Sequence, residues 1–200
     1  MALRKAGAYT HRYARPYTRK SKKKGKNYIR MFPPSKIVKM DMGDISGYNR
    51  GKYPITLRLV SKENVQIRDT ALEASRQIVV KQLETNLPGQ FCAHLKKHPH
   101  HVLREHAMLT GAGADRMSKG MSQSYGVSKG RAAMVKRGAD IFTISVLNND
   151  KAKRVARNTL LMIKPKLPNT CRIIEEATEM STSAKDYAAK QEKVVETVAA

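Results

Sequence analysis

The first forty residues contain no aspartate and no glutamate, against thirteen lysines and arginines. Carboxylates are scarce throughout: 16 against 39 basic side chains, for a formal net charge of +23 over 200 residues. Self-repulsion of that size destabilises a compact chain unless a polyanion neutralises it. It argues against a lone cytosolic enzyme with a small-molecule substrate. Nucleic acid is the expected partner, with an anionic membrane surface second. Long apolar runs are also missing. No stretch reaches the ~18 apolar residues of a membrane span, and no apolar core of a signal peptide follows the basic start. The expectation is a soluble intracellular protein with no membrane partner. Cysteine is nearly absent. Cys92 and Cys171 cannot make a four-ligand metal site and do not form a disulfide framework. Both sit in apolar stretches and read as buried, reduced thiols.

Large apolar residues are few and unevenly spread. Leu, Ile, Val and Phe total 40, or 20% of the chain, at the edge of what a packed domain needs. Residues 1–34 hold three of them, 104–134 two and 181–200 three, so the remaining 115 residues hold 32. That division predicts a basic extension over 1–34, a single domain over 35–176 and a tail over 177–200. The head is expected to be unstructured on its own, because its apolar content cannot offset the entropy of ordering it. A helix near Ala184–Val198 is the expectation for the tail, although the segment lacks a convincing apolar face. Charge is uneven too. Residues 1–40 carry +13, residues 141–170 carry +5, and residues 171–200 carry −2.

Within the domain, Lys36–Met42 reads as a short strand and Gly43–Lys52 as a turn region. Ile55, Leu57 and Leu59 alternate with Thr56, Arg58 and Val60 as in a strand. Asn64 is positioned to cap a helix running to about Asn86, with Ile67, Ala71, Ala74 and Ile78 at three-to-four spacing. Pro88-Gly89 ends it. Gln90–Lys97, His101–Arg104, Arg131–Lys136 and Asp140–Leu147 read as further strands. Asn148–Asp150 caps a second helix carrying Ala152, Val155, Ala156, Leu160 and Ile163, and Thr170–Ile174 closes as a strand. This order predicts an α+β fold, a mixed sheet with two helices packed on one face.

Candidate binding residues follow from charge and aromatic interleaving. In the head, Arg4, Lys5, Arg12, Arg15, Arg19, Lys20, Lys22, Lys23, Lys24, Lys26 and Arg30 alternate with Tyr9, Tyr13, Tyr17 and Tyr28. Cations neutralise phosphates, and aromatic rings stack on bases or sugars. The alternative is a solvated tail or an import-type basic stretch at Arg19–Lys26. From Glu105 to Gly138 inclusive there are six glycines and few large apolar residues except methionines. TGAGADRMSKG lacks the Walker spacing, and Arg116 stands where a dinucleotide fingerprint needs its third glycine. A loop with Gly111, Gly113, Arg104, Arg116 and Lys119 can still approach phosphate through backbone and cations. The four histidines of HPHHVLREH, His98 to His106, lack metal-site spacing. No G-x-S-x-G elbow or paired carboxylate supports catalysis, and Glu175, Glu176 and Glu179 read as a solvated face. No metal and no cofactor are expected.

Several segments together carry a resemblance. PYTRK, KIVKMDMG, VQIRDTALEASR, HPHHVLREHAMLTGAGADRMSKGM, SYGVSKGRAAMVKRGADIFTISV and KLPNTCRII resemble the universal ribosomal protein family called L-ten-e in archaea and eukaryotes and L-sixteen in bacteria. The likeness covers roughly residues 8–176. It implies an alpha/beta-hammerhead-like fold in the cytoplasmic large ribosomal subunit, near the aminoacyl-tRNA site. The implied partners are large-subunit rRNA around the peptidyl-transferase region, tRNA and neighbouring large-subunit proteins. Carried onto this chain, the residues that bind rRNA are Arg15, Tyr17, Arg19 and Lys20. The tRNA-facing loop is about 104–120, with Arg104, His106, Gly111, Gly113, Arg116 and Lys119. The family is not catalytic. SKKKGKN (21–27) departs from its pattern as an added basic insert. The tail beyond about Ala177 has no counterpart, and the lack of a longer eukaryotic C-terminal region points to an archaeal source. Two other classes remain: a free RNA-binding regulator or RNA chaperone outside the ribosome, and a nucleic-acid-modifying enzyme, for which no catalytic cluster is found.

Overall fold

The computed structural model describes residues 7–10, 29, 31–105 and 126–177. Their elements run α1 (Gly7–Thr10), β1 (Asp41–Gly43), α2 (Ile45–Asn49), β2 (Ile55–Ser61), β3 (Val65–Arg68) and α3 (Asp69–Asn86). These are followed by β4 (Phe91–Leu95), β5 (His101–Glu105), β6 (Val127–Val135), β7 (Asp140–Val146), α4 (Asp150–Ile163), a 3-10 turn (Lys164–Lys166) and β8 (Cys171–Ala177).

Alternation decides the main sheet. Its strand order is β1-β4-β7-β2-β8. The register aligns Ile55 with Val146, Leu57 with Ile144 and Leu59 with Phe142, and β4 sets Phe91, Ala93 and Leu95 beside the same residues of β7. Because side chains alternate faces along a strand, these nine residues form one apolar face, and all are buried. β7 is the central strand, and Ile141–Val146 is buried without a break. Onto the apolar face pack Leu72, Val79 and Leu83 of α3 with Ala152, Ala156, Leu160 and Ile163 of α4. Leu160 is fully buried. Leu160→Ala is expected to cost about 2–5 kcal/mol, the usual range for emptying a buried leucine site. Urea unfolding checks this as a lower midpoint at unchanged slope.

The α+β class and the two helices on one sheet hold. The single mixed sheet does not. Every strand pair among the described residues is antiparallel, and a second sheet of order β3-β6-β5 stands beside the first. Part of the reason lies at the start of the first long helix. Asn64 does not cap it, and Val65–Arg68 is a strand. Val65 pairs Val135 and Ile67 pairs Ala133, both apolar residues fully buried. Ile67 fits a period of two and a period of four equally well, and the sheet claims it. Asn64 instead accepts a hydrogen bond from the Arg137 amide at 2.8 Å. The helix begins at Asp69, whose carboxylate accepts from the Thr70 amide at 2.8 Å.

Two nearer segments also differ from expectation. Lys36–Met42 forms a strand only at its end. The amides of Lys36 and Val38 donate instead to the carboxylates of Asp69 (3.3 Å) and Glu73 (3.4 Å) on α3. The turn region contains α2, capped by Asp44, which accepts from the Gly47 amide at 2.8 Å. Gly43 has φ +84°, and a Cβ there would lie 2.3 Å from the Phe91 carbonyl oxygen. Only glycine fits that crossing. The strands expected at 90–97, 101–104, 131–136, 140–147 and 170–174 are all present, with shifted ends. Asn149 caps α4 by accepting from the Lys151 amide at 3.2 Å. The helix expected near Ala184–Val198 lies outside the described residues.

Candidate nucleic-acid interface

Most of the residues singled out for binding fall outside the described residues. These are Arg4, Lys5, Arg12, Arg15, Tyr17, Arg19, Lys20, Lys22, Lys23, Lys24, Lys26 and Arg30 of the head, and His106, Gly111, Gly113, Arg116 and Lys119 of the loop. Arg104 is described, near the end of β5. What the structure does describe is the base from which both segments depart.

That base is the second sheet. β5 and β6 pair up to Glu105 opposite Val127, so the segment 106–126 leaves and returns at two adjacent strand ends. The register slips between Leu103 and Arg104. A bulge of this kind bends a strand and re-aims its side chains. It falls where the chain enters the loop.

The head reaches the same sheet. Tyr9 is buried against Leu103 of β5 and Ala132 of β6. Its hydroxyl donates to the Glu105 carboxylate, and the Arg68 guanidinium lies 5.8 Å from its ring centroid. Ile29 is buried on Val102 with Phe32 beside it. Ser128 Oγ donates to the Met31 carbonyl at 2.8 Å, and Arg131 Nε donates to the Pro33 carbonyl at 2.6 Å. In the full chain, the described part of the head is docked on the domain. Its apolar side chains are too few to order it alone, but the sheet supplies the apolar surface that they lack. The sequence reading missed Arg68 and Arg131, which hold the head in place, and the anchoring role of Tyr9, Ile29 and Phe32. Ile29 and Phe32 were visible as two of the three large apolar residues of the first 34.

The described histidines, His98, His100 and His101, do not converge. His98 and His100 are exposed, and the His100 amide donates to the His98 carbonyl at 3.0 Å. His101 opens β5 half-buried. Burial first, then the charge of Arg104 and the neighbouring His100, hold its pKa down to about 4. Among the described residues no three His, Cys, Asp or Glu side chains are arranged to hold a metal ion. The low pKa has a consequence for stability. Between the unfolded value near 6.5 and about 4, the unfolded chain binds the extra proton. The stability that neutral His101 contributes is present above pH 6.5 and is lost as pH falls through that window. His101→Gln is expected to flatten the decline, read as urea midpoints at pH 7 and pH 4.5. Parallel declines in the two proteins would contradict this.

Both cysteines are free and buried, as expected. One has company that the sequence did not announce. Cys92 Sγ lies 3.3 Å from His94 Nε2, and His94 Nδ1 lies 2.7 Å from Asp41 Oδ1. Cys92 and His94 share a strand face, and the register sets Asp41 of β1 opposite His94. The order thiol, imidazole, carboxylate is that of a cysteine nucleophile with its base. The thiol is nevertheless fully buried, and burial together with Asp41 and Asp44 pushes it up to about 11. A nucleophilic cysteine needs an accessible, low-pKa thiolate. Here the three groups tie β1 to β4. Of the acidic trio, Glu175 pairs with Arg157 at 3.0 Å and Glu176 with Arg58. Glu179 lies outside the described residues. No helix among the described residues is long and apolar enough to cross a membrane.

Comparison with known proteins agrees with the motifs. The family described as ribosomal protein L16p/L10e matches residues 14–174. The large ribosomal subunit protein uL16 of Methanococcus maripaludis (strain C5) is 39% identical over 176 residues, covering 87% of this chain and 94% of the relative. That of Methanoculleus marisnigri is 39% identical over 180 residues, covering 88% and 97%. That of Archaeoglobus fulgidus is 37% identical over 174 residues, covering 86% and 93%. The resemblance read from GAGADRM and its neighbours is thus matched over nearly the whole domain, and the chain belongs to the ribosomal protein L16p/L10e family.

Proposed function

We propose that this chain is a non-enzymatic structural component of the large ribosomal subunit, bound to rRNA through its head and helping to place tRNA through its loop. The observation that carries the proposal is the convergence of the two segments on one small sheet. Tyr9, Ile29 and Phe32 seat the head on the strands β5 and β6, from which the loop departs. Neutralising phosphates along the head would hold the sheet, and hence the loop base, at a fixed place on the RNA.

In this reading residues 1–34 are the rRNA-binding extension, with Arg4, Lys5, Arg12, Arg15, Tyr17, Arg19, Lys20, Lys22, Lys23, Lys24, Lys26 and Arg30 against phosphates and bases. Residues 35–176 are the single α+β domain, and the loop at about 104–120, with Arg104 at its base on β5, carries His106, Gly111, Gly113, Arg116 and Lys119 toward the tRNA acceptor end. Peptide transfer itself is RNA chemistry, and the protein contributes geometry. Neighbouring large-subunit proteins are the remaining partners.

A photo-crosslinking side chain at Arg116, in reconstituted large subunits, tests the assignment. The expected product with aminoacyl-tRNA present is a covalent adduct to the tRNA acceptor end. Crosslinks to rRNA alone, unchanged by saturating tRNA, would contradict the role of the loop.

A further inference from the structure

The +5 charge of residues 141–170 belongs to neither the head nor the loop. Its six cations all lie on α4 and the 3-10 turn that follows. One side of α4 is core, formed by Ala152, Ala156, Thr159, Leu160 and Ile163. At 3.6 residues per turn, the opposite arc collects Lys151, Arg154, Arg157, Asn158, Leu161 and Met162, and every one is exposed. An ordinary outward helix face mixes charges of both signs. Here the one carboxylate of α4 is Asp150, in the first turn, where it complements the helix dipole.

Ion pairing leaves most of this charge unused. Arg157 is held by Glu175 at 3.0 Å. Lys151, Arg154, Lys164 and Lys166 have no carboxylate within 4 Å among the described residues. They span ~22 Å along the helix and turn, at 1.5 Å per residue. Between the two pairs of cations, Leu161 and Met162 stand 47% and 49% exposed. An apolar pair flanked by cations suits ribose and base edges lying between phosphates, whereas a merely solvated face has no use for it.

We infer that the outward face of α4, continued by the 3-10 turn, is a second RNA-binding surface, with Lys151, Arg154, Lys164 and Lys166 on phosphates. The partner is taken as rRNA because the inference rests on the ribosomal reading above. The surface adds to that reading a contact on the helical side of the domain.

The test is filter binding of the full chain to purified large-subunit rRNA over a salt series. One variant carries Lys151→Gln, Arg154→Gln, Lys164→Gln and Lys166→Gln. A control of equal charge carries Lys39→Gln, Lys62→Gln, Lys81→Gln and Lys136→Gln, all at exposed positions. Glutamine keeps helix propensity close to that of lysine and arginine, and an unchanged thermal midpoint shows that the fold is retained. Four lost phosphate contacts flatten the log–log salt slope by about 3, and the control leaves it nearly unchanged. A slope that does not move, or moves equally in the control, overturns the inference. That includes the case in which the acidic residues of 178–200 occupy this face. Small-subunit rRNA is measured in parallel. Equal wild-type affinity for both rRNAs would contradict the ribosomal reading, while the slope change would still decide the role of α4.

Discussion

Deleting residues 1–30 is expected to weaken binding to large-subunit rRNA and to flatten its salt dependence more than any other single change. Eleven lysines and arginines are lost with that segment, and no carboxylate. Each phosphate contact contributes ~0.7–0.9 to the slope of log K against log salt, so engagement of even half of them changes it by about 4–5. The structure adds a second term. The deletion also removes Tyr9 and Ile29, which seat the head on β5 and β6. The two effects separate in a Tyr9→Ala, Ile29→Ala variant. It keeps every cation, so its salt slope stays near that of the intact chain while its affinity falls, because an unseated head must be ordered when it binds. An unchanged slope after deletion would mean that the head is a solvated tail.

Shortening the loop by residues 106–118 is expected to spare assembly into the subunit and to impair tRNA placement. The hairpin beneath it explains the first half. β5 and β6 are paired as far as Glu105 and Val127, and neighbouring strands lie only about 5 Å apart. Residues 119–126 bridge that gap easily, and closing a shorter loop costs less entropy. The second sheet and the docked head therefore survive. The loss falls on whatever Gly111, Gly113 and Arg116 touch. We expect tRNA binding at the aminoacyl site of reconstituted subunits to weaken by about tenfold or more, equivalent to ~1.4 kcal/mol. Failure of the shortened chain to enter subunits would contradict this division between head and loop.

How far the sequence could be read depends on which interactions decide each element. β2 and β7 were legible because their side chains alternate, or run apolar, against a core on the same sheet. The cap of α4 at Asn149 was legible because capping is a local side-chain-to-amide contact. The start of α3 was not. Val65–Arg68 carries a pattern compatible with helix or strand, and only β6, some seventy residues later, decides for the strand. The same holds at the candidate site. Charge and tyrosine content marked the head, and glycine content with a family-like motif marked the loop. Their meeting on one sheet depends on Tyr9, Ile29 and Arg131 contacting residues roughly seventy to a hundred and twenty positions away. The Cys92–His94–Asp41 set was hidden in the same way, since Asp41 joins it only through the pairing of β1 with β4.

Fractionating a native lysate on sucrose gradients, at low and at moderate salt, and probing for this chain tests the central claim most directly. The account predicts one copy per large subunit at both salts, because many phosphate contacts and a seated head hold it there. Recovery in the light fractions, or loss at modest salt, would contradict it, and would leave a basic RNA-binding protein of this fold that acts away from the ribosome.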